Sequence, residues 1–271
     1  MNDLNLGVVQ LTSTDVMAAN LAAVLQSLRT AVGAGAKLIV FPENTLFFRL
    51  VAGSGLQAPA WDGAELKQLK AACDEAGVAC LITTPMQAKG DSSKFENATV
   101  LFEPGTEPRA VYKKIHLFDV DVPGAPPVRE SEHFVPGQLP AIIEVSGWKI
   151  GLSVCYDLRF AELYSRYAQS VDLIVVPSAF LVPTGQAHWH VLLRARAIEN
   201  QCYVAAPAQA GEHIGAGQNR RHTYGHSLVV DPWGRVDLEL AGGPEVQVVS
   251  LKRAKIQEVR RQIPMQSHRR L

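Results

Sequence analysis

The sequence predicts an α/β fold in which two sheets pack together between layers of helix. Three observations carry that expectation. Apolar runs alternate with helical spacings of leucine and valine. The runs lack the apolar–polar alternation of a half-exposed strand, so they are covered on both faces. The order strand, helix, strand, helix, strand, hairpin occurs twice, and K-L-I-V-F-P at 37–42 is echoed by D-L-I-V-V-P at 172–177. An internal pseudo-two-fold repeat follows, within one domain spanning 1–271.

In the first half, Leu4–Leu11 reads as a strand. Asp15 then caps a helical pattern through Met17, Leu21, Val24, Leu25 and Leu28 that stops near Gly33–Gly35. Lys37–Phe41 is a strand broken by Pro42. After the turn residues Asp62–Gly63, a second helix uses Leu66, Leu69 and Cys73 and ends at Gly77, and Val78–Thr83 is the third strand. Asn97–Phe102 and Ala110–Tyr112 flank E-P-G-T as a hairpin. In the second half, Lys149–Val154 is a strand, Arg159–Gln169 a helix, and Asp172–Val176 a strand broken by Pro177. Ala187–Asn200 is a helix, Cys202–Ala206 a strand, and Gly225–Val230 with Arg235–Leu240 a hairpin around D-P-W-G. Between the halves, Lys114–Pro140 is polar and proline-rich, and a loop of that length inside a compact domain is usually functional.

Composition narrows the function classes. Lys+Arg and Asp+Glu both total 26, so no net charge steers the chain to nucleic acid or to an anionic membrane. The longest charge-free stretch, Leu173–Leu193, is cut by Pro177, Pro183 and Gly185 and parses as strand, loop and helix rather than a bilayer span. The N-terminus lacks the basic and apolar regions of a signal peptide. The four cysteines (Cys73, Cys80, Cys155, Cys202) form no C-x-x-C pair, which fits a reducing compartment. A cytoplasmic location is the expectation, with no cofactor and no metal. The basic cluster His268, Arg269, Arg270 reads as a solvated tail.

Three ionisable residues sit at element ends, where sites of α/β folds gather. Glu43 follows a strand in F-P-E-N, Lys114 closes the first hairpin, and Cys155 ends the strand that opens the second half. Each has a plainer reading: a solvated acid, a surface lysine, a core cysteine. The start of the helix after Cys155 would favour a thiolate. Together the three supply acyl-transfer chemistry: a nucleophile, a base for its proton, and an ammonium for the oxyanion. A Cys–His arrangement finds no local signature, and G-x-S-x-G is absent.

F-P-E at Phe41–Glu43, Y-K-K-I-H-L-F-D at Tyr112–Asp119 and C-Y-D-L-R-F at Cys155–Phe160 resemble the three signature segments of the nitrilase, or carbon–nitrogen hydrolase, superfamily. The resemblance runs from about Leu4 to the C-terminus. It implies a four-layer α-β-β-α sandwich, with Glu43 as general base, Lys114 as the stabilising ammonium, Cys155 as nucleophile, and Glu130 orienting lysine and substrate. The backbone N–H of Tyr156 would complete the oxyanion site. A homodimer or higher homo-oligomer is implied too.

Within the superfamily, P-S-A-F, T-G-Q-A-H-W, L-L-R-A-R-A-I-E-N-Q-C-Y-V and Y-G-H-S-L-V-V-D-P-W-G look most like deaminated glutathione amidases, which release 2-oxoglutarate and cysteinylglycine. The similar ω-amidases act on 2-oxoglutaramate, and H-L-F-D-V-D-V-P-G and F-A-E lean that way. Arg159, Phe180 and Thr184 match positions that hold the oxoglutaryl part, although Arg159 could equally pair with an acid at the helix start. His190 departs from the Glu of many relatives. The Gly211–His222 loop could admit the cysteinylglycine part. The competing class is a non-catalytic scaffold or ligand-binding member.

Overall fold

The computed structural model describes residues 3–51, 54–122, 127–168 and 170–270. The first apolar run forms β1 (Leu4–Gln10), followed by α1 (Met17–Gly33) and β2 (Leu38–Val40). Next come α2 (Ala64–Ala76), which ends on left-handed Gly77 (φ +61), and β3 (Ala79–Gln87). β4 (Phe95–Phe102) and β5 (Arg109–Lys113) make the hairpin around E-P-G-T. The inter-half segment holds a small ribbon, β6 (Asp119–Val120) with β7 (Val128–Arg129), and a 3-10 turn over Glu130–Glu132. Its residues 123–126 lie outside the described residues.

The second half opens with β8 (Ala141–Val145) and β9 (Trp148–Leu152), then a 3-10 turn over Cys155–Arg159. There follow α3 (Ala161–Ser165), β10 (Leu173–Val175), α4 (Val182–Asn200) and β11 (Tyr203–Ala206). β12 (Ala210–Ile214) and β13 (Arg220–Tyr224) form a separate ribbon. β14 (Ser227–Val230), β15 (Val236–Leu240), β16 (Glu245–Leu251), α5 (Arg253–Gln262) and α6 (Met265–His268) complete the chain.

Two six-stranded sheets result, in the orders β16-β1-β2-β3-β4-β5 and β15-β14-β11-β10-β9-β8. Each has three parallel central strands, β1-β2-β3 and β9-β10-β11, with antiparallel neighbours, which is the internal repeat. Alternate residues separate the layers. Val9, Ile39, Cys80 and Ile82 meet Leu21, Val24 and Leu28 of α1 and Leu66, Leu69 and Cys73 of α2. Their neighbours Val8, Leu38, Val40 and Leu81 join Ile150, Leu152, Leu173 and Val175 of the second sheet. α4 covers that sheet in turn through Trp189, Leu193 and Ala197. The four layers are helix, sheet, sheet, helix. Cys73, Cys80 and Cys202 are free and buried in this core.

Several local expectations give way to tertiary contacts. Asp15 does not cap α1, which begins after Val16 without a side-chain cap; its carboxylate accepts the N–H of Ala216 instead (2.9 Å). The helix expected over Arg159–Gln169 is a 3-10 turn and then the five residues of α3; Gln169 lies outside the described residues. α4 starts at Val182 rather than Ala187, because Pro183 occupies the first turn, where a missing N–H costs nothing. The Gly211–His222 loop is mostly ribbon. Edge strands β8 and β16 and helix α5 fall outside the elements read from the sequence, although E-V-Q-V-V-S-L has the composition of a strand; β16 pairs antiparallel to β1, far away in sequence.

Candidate active site

Glu43 and Cys155 lie just beyond the carboxyl ends of β2 and β9, in different sheets. β5 is two antiparallel steps from β3, so it runs in the direction of β2 and delivers Lys114 to the same rim. Face-to-face packing of the sheets then brings all three groups to the wall of one cleft. Exposure is 3 % for Glu43, 2 % for Lys114 and 7 % for Cys155, so water is largely excluded from the charges.

The Lys114 ammonium donates to Glu43 Oε1 at 2.8 Å and contacts Glu130 Oε2 at 2.8 Å and Oε1 at 3.0 Å. Asn97 Nδ2 donates to both acids, at 2.8 Å to Glu43 Oε1 and 3.2 Å to Glu130 Oε1. The Phe118 N–H reaches Glu130 Oε2 at 2.6 Å. Gln209 Nε2 holds the Glu43 carbonyl at 2.9 Å and so fixes the backbone of that loop. Burial by itself would push the Lys114 pKa down, but the charges of Glu130 and Glu43 reverse this and hold it well above the ordinary value. The lysine is therefore a permanent cation with one N–H to spare after its two carboxylates.

Cys155 occupies the left-handed region (φ +48), a conformation costing a non-glycine residue roughly 1–3 kcal/mol. Its N–H donates to the Pro177 carbonyl (2.9 Å), which ties it to the end of β10. The fully buried Asp157 holds the turn. It accepts from Val154 N–H (2.9 Å), Tyr112 Oη (2.8 Å) and His116 N–H (2.9 Å), and lies 2.7 Å from His116 Nδ1. One carboxylate thus joins the cysteine turn to the hairpin end that bears Lys114.

The thiol differs from expectation. Its pKa is raised well above the usual value, first by burial and then by the charge of Glu43; Lys114 and the Ala179 N–H oppose this without prevailing. The one-turn 3-10 segment does not make a resting thiolate. A buried neutral thiol hydrogen-bonded to a carboxylate can lose its proton to that carboxylate as it attacks.

The cleft has two lobes that meet at Phe118, Cys155 and Ala179. The larger, about 550 Å³ and open at its mouth, carries Glu43, Lys114 and Glu130; it is within the usual range for small-molecule sites. The smaller, about 220 Å³, is lined by Tyr156, Arg159, Phe180 and Thr184, so the catalytic and substrate-binding candidates from the sequence line two lobes that share Cys155. The Arg159 guanidinium lies over the rings of Phe180 (5.6 Å) and Tyr156 (5.9 Å) and contacts His188 Nδ1 (3.1 Å). Among the described residues it has no acid partner at ion-pair distance, so the pairing at the helix start is not formed and its fork faces the lobe. His190 stands apart, hydrogen-bonded to Glu239 (3.0 Å), which also engages His226 (2.7 Å). These three lie close enough together to hold a metal ion, with Glu239 Oε1 between His190 Nε2 and His226 Nδ1.

Sequence reasoning missed Asn97, Asp157, Gln209, Ala179, Arg49 and Arg221. Asp157 was within reach, since it sits inside the C-Y-D segment. Asn97 and Gln209 had no local signal.

Comparison with known proteins gives the family and the fold. The carbon–nitrogen hydrolase family pattern matches residues 5–261, and the chain belongs to that family. It is 38 % identical over 266 residues to a deaminated glutathione amidase of Synechocystis, covering 96 % of each chain. It is 34 % identical over 274 residues to the omega-amidase NIT2 of Danio rerio, covering 100 % of this chain and 96 % of that one. The crystal structure of the C. elegans NitFhit protein superposes with a TM-score of 0.87 at 31 % identity; this chain is covered in full and spans 66 % of that longer one.

Proposed function

We propose that the protein is a thiol amidohydrolase that cleaves the amide of deaminated glutathione to 2-oxoglutarate and cysteinylglycine. Cys155 attacks the amide carbon while Glu43 takes the thiol proton. The carbonyl oxygen, now an oxyanion, is met by the spare N–H of Lys114 and by the backbone N–H of Tyr156. Collapse breaks the C–N bond, the leaving nitrogen takes the proton from Glu43, and a thioester remains. Water, deprotonated by the same glutamate, attacks the thioester; the acid leaves and the thiol is restored. Glu130 and Asn97 keep Lys114 and Glu43 in register. Arg159, Phe180 and Thr184 hold the oxoglutaryl part, the guanidinium taking the carboxylate with its two-pronged face.

The observation that carries this reading is the meeting of a buried thiol, a carboxylate and a permanent ammonium at the junction of two lobes. Side chains and water supply every step, so no cofactor or metal is invoked. The full-length similarity to an omega-amidase favours 2-oxoglutaramate as the second reading, in which the same acyl pocket is used and ammonia leaves. We infer further that residues 1–271 form one domain and that the protein is a cytoplasmic homo-oligomer; exposed Val191 and Ile198 on α4 support an interface there.

The test is 2-oxoglutarate release by wild type and Cys155→Ala, on deaminated glutathione and on 2-oxoglutaramate. A higher kcat/KM on the first and loss of both activities in the variant are expected. A higher kcat/KM on 2-oxoglutaramate selects the omega-amidase reading. Inert wild-type protein across a panel of amides leaves a ligand-binding scaffold.

A further inference from the structure

The larger lobe has a feature that the hydrolytic chemistry does not use. Arg49, in the loop after Glu43, and Arg221, on β13, both line its wall. Arg221 Nη1 donates to the Arg49 carbonyl (3.2 Å), and its guanidinium lies over the Phe48 ring at 4.8 Å. Phe48 is in turn fixed edge-on against His213, ring centres 4.8 Å apart. The Arg221 guanidinium is therefore held on a rigid support, and the Arg49 side chain lines the same wall.

Neither has an acid at ion-pair distance among the described residues, although the basic side chains around them, such as Lys114 and Arg220, are paired. Arg49 Nη1 is buried and has no hydrogen-bond partner. Burial disfavours the charge of both groups, and Arg49 adds repulsion on Arg221. Two like charges gathered in a cleft, one with an unmet buried donor, are arranged for an anion brought from outside.

Position defines that anion. The sulfur stands where the lobes join, with Arg159 in the smaller lobe and Arg49 and Arg221 in the larger. Given the proposed function, on which this inference rests, the acyl part fills the Arg159 lobe and the departing amine fills the other. We propose that Arg49 and Arg221 form a carboxylate subsite for the leaving group, so that the preferred substrate is an amide carrying an anion on each side of the scissile bond. Cysteinylglycine ends in such a carboxylate, whereas ammonia offers nothing to this lobe.

The experiment compares deaminated glutathione with its C-terminal carboxamide, on wild type, Arg221→Gln and Arg49→Gln. Wild type is expected to favour the free acid by about 10–100-fold in kcat/KM, the range of a charge-assisted hydrogen bond lost in a cleft. That preference falls to within about 3-fold in each variant. A role confined to structure would lower both substrates together and preserve the ratio, which overturns the proposal. So does a wild type that hydrolyses acid and carboxamide equally well; the amidase reading then stands without the subsite. Wild type that releases no 2-oxoglutarate from either removes the amidase reading and the subsite with it. If Arg221→Gln fails to fold, Arg49→Gln and the wild-type ratio still decide.

Discussion

Asp157→Asn tests whether one buried carboxylate joins the cysteine turn to the lysine hairpin. Oδ1 faces the backbone N–H and Nδ1 of His116, while Oδ2 faces Val154 N–H and Tyr112 Oη. An asparagine has the same shape but only one acceptor edge. With its NH2 in the Oδ1 position it confronts the His116 N–H; flipped, it confronts the Val154 N–H. The imidazole can change tautomer and the phenol can rotate, but a backbone N–H can do neither. Each orientation therefore strands one buried donor, at about 1–3 kcal/mol, and removes charge assistance from the remaining bonds, at roughly 1–2 kcal/mol more. The sum, about 2–5 kcal/mol, is a large part of the stability of an ordinary domain. Urea unfolding would show it as a lower midpoint at unchanged slope. Turnover of deaminated glutathione should fall about 10–100-fold, because a small displacement of Cys155 from Lys114 spoils the attack geometry. A variant with wild-type midpoint and wild-type kcat would refute the clamp.

The other predictions concern the same machinery. Gly137→Ala places a Cβ 2.2 Å from the Lys113 carbonyl oxygen, so the strand leading to Lys114 must shift; kcat should drop about 10–100-fold while circular dichroism stays close to wild type. Lys114→Met should lose roughly 100–1,000-fold in kcat, read with saturating substrate, since it removes a fixed cation from the oxyanion. Burial pushes the His213 pKa down to about 4 from 6.5. The unfolded chain then takes up a proton below about 6.5 that the native state refuses, so stability falls as pH drops from there to about 4. The loss is on the order of 3 kcal/mol and levels off below the folded value. His213→Gln should flatten that limb of the denaturation-against-pH curve, and an unchanged slope would contradict the assignment.

Much of the architecture was legible because its causes are local. The echo of K-L-I-V-F-P and D-L-I-V-V-P reports strands covered on both faces, and those strands are the parallel centres of the two sheets. Turn chemistry placed both hairpins. Boundaries fared worse wherever a distant group intervened. Asp15 looked like a cap until Ala216 claimed its carboxylate, and the residues after Cys155 looked helical until Asp157 drew them into a tight turn. β16, E-V-Q-V-V-S-L, has the composition of a strand, but its partner β1 lies at the other end of the chain and only the fold reveals that pairing.

The chain by itself determined which residues could do chemistry: Glu43, Lys114 and Cys155 stand at element ends in recognisable segments, and their residue types fit the base, cation and nucleophile proposed for them. Tertiary structure decided their condition. Burial and Glu43 keep the thiol protonated, two carboxylates keep the lysine charged, and Asn97 and Gln209, unremarkable as letters, hold the acids in place. The same holds for Arg49 and Arg221, surface residues by type, which become neighbours in a cleft only when β13 folds beside the loop after Glu43. Protonation, strain and unmet hydrogen bonds depend on what surrounds an atom in space, and packing between the two sheets is what supplies those surroundings.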